Sequence, residues 1–252
     1  MNVLGIAPQE REEKQKALLK RGKLTGLLFL FGCLLPIVII LLFALGFIQN
    51  DSPFPHLEQP VALVNTGSST GTAFLVGESR LLTAKHVVDN LQVNDAVQLT
   101  FEKAQPVINT KAKLIWKDAS NNPDLQYFLS DVAVLELETP GDLPENFPRL
   151  MIGNSDGITT KDNVILIGYP GGLFSNTAGK ISNDKVKGLE LFQLDVNSWQ
   201  GNSGGPLILE DGEEVIGIIV AGLTAEFQGI NFANKINNAM NLLQSQGIDV
   251  MK

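Results

Sequence analysis

An all-β domain, sandwich or barrel, behind a single membrane-crossing helix is what this sequence predicts, and three observations predict it. Downstream of residue 60 the apolar residues fall in short runs separated by Gly, Asn and Asp, the pattern of strands joined by turns rather than of βαβ units. Within that region one stretch alone, NKINNAMNLLQSQ at 234–246, has helical spacing. There Ile236, Met240, Leu242 and Leu243 can share a face, and Gly247 supplies a stop. Upstream, Leu24 to Ile48 runs for 25 residues without a charge. As a helix it would be about 37 Å long, against a hydrocarbon core of about 30 Å.

In chain order, residues 1–23 read as a basic tail, 24–48 as the transmembrane helix, 49–60 as a linker and 61–252 as the domain. The tail carries Arg11, Lys14, Lys16, Lys20, Arg21 and Lys23, and the next basic residue after the span is Arg80. Positive charge stays on the cytoplasmic side of a bilayer. The expected topology is therefore single-pass in the cell (inner) membrane, with the N-terminus cytoplasmic and the domain extracytoplasmic. A cleaved leader is the competing reading, but its apolar stretch would be about 7–15 residues long and followed by small residues; this run is longer and ends in FALGFIQN. Pro36 is compatible with a spanning helix. The linker QNDSPFPHLEQP has three prolines and no periodicity. Strands are then expected at 61–65, 72–76, 96–101, 112–116, 132–137, 163–169, 189–194, 206–209 and 214–221.

Charge narrows the function classes. Of 19 basic and 27 acidic residues, six and three lie in the tail and none in the span, which leaves 13 and 24 in the remainder, a net charge of −11. Nucleic-acid binding requires basic surface, so nucleic acid is not an expected partner. The one cysteine, Cys33, lies in the span. The domain must therefore fold without disulfides or thiolate metal ligands.

The sharpest local signal is Gly201-Asn202-Ser203-Gly204-Gly205-Pro206. Its bland reading is a glycine-rich turn before the strand PLIL. The run also suits a nucleophile. A serine hydroxyl needs a positioned base, and the tetrahedral intermediate of acyl transfer needs convergent N–H donors. The backbone of Gly201 can turn its N–H toward the same point as that of Ser203. The chain has two histidines. His56 stands in the linker between prolines, whereas His86 follows the apolar run Leu81-Leu82-Thr83-Ala84, a strand-to-loop context that can fix a ring. A carboxylate must then orient the imidazole. Asp131 directly precedes the buried-looking run Val132-Ala133-Val134-Leu135, whereas Asp118 and Asp124 lie in a polar loop. The order His86, Asp131, Ser203 is that of the chymotrypsin-like double β-barrel, one of three unrelated triad orders.

On these residues the chain resembles the trypsin-like serine proteases, and within them the HtrA/Deg-like bacterial branch. The resemblance runs from Gly71-Thr72-Ala73-Phe74-Leu75-Val76 through Thr83-Ala84-Lys85-His86-Val87-Val88 and Ser130-Asp131-Val132-Ala133-Val134-Leu135. It continues in Ile167-Gly168-Tyr169-Pro170-Gly171-Gly172, the Ser203 motif, Val215-Ile216-Gly217-Ile218 and Gly229-Ile230-Asn231-Phe232-Ala233. It implies two six-stranded antiparallel β-barrels with a C-terminal helix. It also implies a serine endopeptidase with His86, Asp131 and Ser203 as the triad and the N–H groups of Gly201 and Ser203 as the oxyanion hole, acting on proteins or peptides without metal or cofactor.

Two departures qualify the resemblance. Animal-type trypsins carry Asp before the serine, paired with a newly cut N-terminus; here Asn202 occupies that position, and zymogen cleavage is not expected. A peptide-binding PDZ domain commonly follows the protease in HtrA-like members, and with the sequence ending at Lys252 none is expected. The resemblance further assigns the pocket for the residue before the scissile bond to Asn197, Ser198, Val220, Ala221 and Gly222. Asn197 stands where proteases cutting after Lys or Arg carry Asp. Because a buried unpaired cation is costly, small or medium apolar residues are the expected preference. The alternative function is a non-catalytic, membrane-tethered binding module of the same fold. In such modules the triad is usually eroded, and here all three members stand.

Overall fold

Six strands, β1 (Val61–Asn65), β2 (Thr70–Leu75), β3 (Arg80–Thr83), β4 (Ala96–Phe101), β5 (Ile108–Lys117) and β6 (Ala133–Leu137), close into an antiparallel barrel in the order β1-β2-β3-β6-β5-β4. The computed structural model describes residues 53–120, 124–196, 198–220 and 231–252, together with Glu13 and Lys16. A second sheet is built from β7 (Met151–Ile152), β8 (Asn163–Gly168), β9 (Ser175–Asn183), β10 (Leu191–Asp195), β11 (Pro206–Leu209), β12 (Glu214–Ile219) and β13 (Asn231–Lys235). Because β11 pairs with both β8 and β12, six of these strands also close on themselves, and β7 adds a short parallel pairing to β12. The two antiparallel barrels expected from the sequence are thus present.

The chain divides into two units, Met1–Pro53 and Phe54–Lys252, and both barrels belong to the second. The apolar stretch 24–48 lies outside the described residues. Among the described residues, no helix is long and apolar enough to cross a membrane.

Side-chain alternation explains why some strands read as alternating and others as continuous apolar runs. On β4, Val97, Leu99 and Phe101 fill the first barrel while Ala96 and Gln98 face solvent; β5 does the same with Thr110, Ala112 and Leu114 against Asn109, Lys111 and Lys113. On β2 both faces are covered. Ala73 and Leu75 point into the first barrel, and Phe74 joins a different cluster shared with Ile165, Ile167, Ile208 and Ile218 of the second. Leu81 and Leu82 divide in the same way, as do Ala133 and Val134, and on the other side Val164 and Ile165. A period of two with both faces buried yields an unbroken apolar sequence.

The C-terminal helix, Ile236–Ser245, buries Ile236, Ala239 and Leu243 against this shared cluster. It ends at Gly247 as expected. The N–H of Gly247 donates to Gln244 O at 3.0 Å and that of Ile248 to Leu243 O at 3.0 Å, a reciprocal pair that satisfies the last carbonyls. The described part of the segment read as a linker has defined structure. Pro55–Glu58 forms one helical turn, and its Leu57 enters the cluster between the barrels. Its Glu58 is buried and accepts a 2.8 Å hydrogen bond from Asn176 Nδ2, with Lys103 Nζ 3.9 Å away. Prolines hid this turn in the sequence, since Pro55 sits at the first helical position, where it lacks no needed donor.

Candidate active site

His86 is carried by a 3-10 turn, Lys85–Val88, directly after β3. The turn is held from inside and out. Val87 and Val88 are buried in the first barrel, and the Lys117 ammonium donates to the carbonyls of Val88 (3.4 Å), Asp89 (2.9 Å) and Leu91 (2.7 Å). Val88 O also accepts the Leu91 N–H at 3.0 Å, and a cation beside carbonyls at and just past the end of the turn matches their negative end.

Asp131 is fully buried at the entry to β6 and takes hold of His86 twice. Its Oδ1 accepts the His86 backbone N–H at 2.9 Å and its Oδ2 accepts Nδ1–H at 2.7 Å. A carboxylate only accepts, so the ring proton sits on Nδ1 and the lone pair is left on Nε2. Burial works to lower the pKa of His86, but the hydrogen bond to Asp131, its charge and the charge of Asp89 outweigh it, and the net shift is upward from 6.5. The ring keeps 31 % of its side-chain surface exposed. The loop that presents Asp131 is fastened from β13 and the C-terminal helix: Asn234 Nδ2 and Asn238 Nδ2 both donate to Leu129 O, at 3.0 and 2.9 Å.

Ser203 sits in a turn locked mostly through its backbone. Its carbonyl accepts Thr72 N–H at 2.8 Å, Gly204 N–H donates to Ile219 O at 2.7 Å, and Gly205 N–H to Asn202 O at 2.9 Å. The Thr72 hydroxyl bridges the barrels by donating to Gly201 O at 2.7 Å and accepting Tyr169 N–H at 3.1 Å. Gly204 has φ +82°, and a Cβ there would lie 2.3 Å from both Thr72 O and Thr83 Oγ1. Gly201 has φ +107°, and a Cβ would lie 2.2 Å from Tyr169 O. Both positions therefore demand glycine for conformation and for space.

The N–H groups of Gly201 and Ser203 donate to no described residue. Gln200 O accepts Gly171 N–H at 2.8 Å. Since C=O and N–H of a trans peptide point in opposite directions, this bond turns the Gly201 N–H away from the 169–172 loop. No hydrogen bond joins the Ser203 hydroxyl to His86. Asn202 is 1 % exposed, and its Oδ1 has no hydrogen-bond partner among the described residues.

The structure thus joins His86 to Asp131 and sets Ser203 on a turn fastened to the first barrel. Of the assigned pocket residues, Val220 is buried and Ser198 half-buried, while Asn197, Ala221 and Gly222 lie outside the described residues. His56 pairs instead with Glu213 at the surface, at 2.7 Å. Sequence reading did not single out Thr72, Lys117, Asn234 or Asn238 as supports. Among the described residues no three His, Cys, Asp or Glu side chains cluster to hold a metal.

A trypsin-like peptidase domain is matched over residues 71–218. The chain belongs to the trypsin-like peptidase family. Within that family it is similar to the HhoB protein of Synechocystis sp., with 32 % identity over 70 % of this chain and 40 % of HhoB. It is similar also to serine protease HTRA4 of Homo sapiens, with 33 % identity over 65 % of this chain and 32 % of HTRA4. The chain thus spans less than half the length of either relative. Among solved structures it is similar to the HtrA-type protease AlgW with a bound tripeptide, with 28 % identity, a TM-score of 0.59 and coverage of 77 % of this chain and 63 % of that one.

Removing the Thr72 hydroxyl with the near-isosteric Thr72→Val leaves Tyr169 N–H and Gly201 O unpaired in the interior. The expected loss is about 2–4 kcal/mol of unfolding free energy, read by urea denaturation, with Thr72→Ser recovering most of it.

Proposed function

We propose that this protein is a serine endopeptidase tethered to the cell membrane by residues 24–48, with its barrels outside the cytoplasm, acting on envelope or misfolded proteins. The observation that carries the reading is the two-point hold of a buried Asp131 on His86. It fixes the ring and its tautomer, which is what a general base beside a serine requires. In this mechanism His86 Nε2 takes the proton of Ser203 Oγ as Oγ attacks the substrate carbonyl carbon. The N–H groups of Gly201 and Ser203 receive the oxyanion. His86⁺ then gives its proton to the leaving amine, whose C–N bond breaks, and water repeats the sequence on the acyl-Ser203 ester. Asp131 orients His86 and stabilises its charged form throughout. The two unengaged N–H groups support the oxyanion assignment, and the AlgW tripeptide complex supports peptides as substrates. Membrane tethering rests on the charge-free stretch and the basic residues before it.

The open link between Ser203 and His86 favours a second reading, a non-catalytic tethered module. Labelling of the full-length chain in membranes with a fluorophosphonate separates the two. The protease reading expects labelling that is abolished in Ser203→Ala and slowed at least about a thousandfold in His86→Ala. An unlabelled, folded wild type supports the module.

The general base must be neutral, so activity falls as pH drops through the His86 pKa. Because that pKa is raised above 6.5, the acid limb of kcat/KM is expected above pH 6.5. Asp89→Asn removes one of the charges that raise it, and should move that limb to lower pH. An unmoved limb would assign the limb to another group.

Cleavage is expected after small or medium apolar residues, scored on a peptide library varied at the position before the scissile bond. A preference for Arg or Lys there would contradict the assignment of Asn197 to the pocket.

A further inference from the structure

Strand β11 follows Ser203 by three residues and lies between β8 on one side and β12 on the other. The ends of both neighbours flank its start, where Pro206 pairs with Ile218 of β12 and Leu207 with Leu166 of β8. Ser203 therefore has the segment after β12 on one side and the segment after β8 on the other. The pocket assigned to the acyl side includes Val220, directly after β12. The leaving-group side then falls on the segment after β8.

That side carries a groove of about 480 Å³ lined by Thr70, Pro170, Gly171, Trp199 and Gln200, large enough to take a bulky side chain. Its floor is hydrogen-bonded: Gly171 N–H donates to Gln200 O at 2.8 Å, and Asn202 N–H to Trp199 O at 3.0 Å. The Trp199 backbone is thereby tied to the Ser203 turn, while the residue stays 76 % exposed. None of the five described residues that line it is charged. A charged side chain entering the groove would lose water with no counter-charge among them to replace it, whereas the indole face offers a large apolar and aromatic contact.

We propose that Trp199 selects the leaving-group half of the substrate, favouring an aromatic or large aliphatic side chain in the first positions after the scissile bond. This rests on the serine endopeptidase reading of the same site. The preference acts on both directions of acyl transfer, so it is measurable in reverse. An added amine attacks the carbonyl carbon of the acyl-Ser203 ester and a C–N bond forms. The C–O bond to Ser203 Oγ breaks, and the amine proton passes through His86 to Oγ; no redox step is involved.

The test uses the full-length chain with N-acetylalanine methyl ester as acyl donor and the amides of Phe, Leu, Gly and Asp as competing acceptors. Partition between amide products and free acid is read in one mixture, so the ratio is independent of the rate of acylation. Wild type is expected to transfer to Phe and Leu amides at least about tenfold more efficiently than to Gly and Asp amides. Trp199→Ala is expected to bring those efficiencies within about twofold of one another, and Trp199→Phe to keep the preference. Equal efficiencies in wild type, or a preference that survives Trp199→Ala, overturn the assignment while leaving the endopeptidase reading in place. An ester consumed no faster by wild type than by Ser203→Ala defeats the endopeptidase reading, and this inference falls with it.

Discussion

Apolar side chains that leave one barrel and enter the space before the other, Phe74, Leu82 and Val134 against Ile165, Ile167, Ile208 and Ile218, determine how the two barrels sit together. Each fully buried side chain of this kind contributes about 1.5–3 kcal/mol by leaving water. The seam is also what gives the site its geometry. His86 and Asp131 come from the first barrel and Ser203 from the second. Both barrels spend whole strand faces on the seam, which is why β2, β3, β6 and β8 have no wet side.

Polar groups at the edge of the seam complete what the apolar contact begins. Thr72 donates across it to Gly201 O, Lys117 collects three carbonyls behind the His86 turn, and Asn234 with Asn238 takes Leu129 O. Each is a bond to backbone, and backbone is what positions a side chain such as His86 or Asp131. The buried Asp131 carboxylate is itself stabilised by the two His86 N–H donors instead of by water. Asn202 is the departure, with a buried acceptor left without a described partner.

Much of this was legible in the sequence, and the limits have physical causes. Strand β4 is amphipathic and β11 is a short apolar run, and both were located at their observed bounds. Strand β9, SNTAGKISN, escaped notice because it buries one apolar residue, Ile181. Its Gly179 lies where a Cβ would meet Asp195 O at 2.5 Å. The catalytic candidates stood out because their chemistry restricts residue type. The supports did not, because a threonine, a lysine or an asparagine is ordinary in sequence and acquires its task only from a partner far along the chain. Thr72 and Gly201, for example, are 129 positions apart.

That separation along the chain has a bearing on timing. The bond from Asn234 to Leu129 O spans 105 positions, so the ribosome delivers Asp131 long before the residue that fastens its loop. A first barrel folding as it emerges, as domains generally do, would hold His86 and Asp131 without that fastening. Only when the strand and helix carrying Asn234 and Asn238 have docked is the constellation complete. The setting of Asp131 beside His86 is thus finished only after the strand and helix that carry Asn234 and Asn238 have left the ribosome.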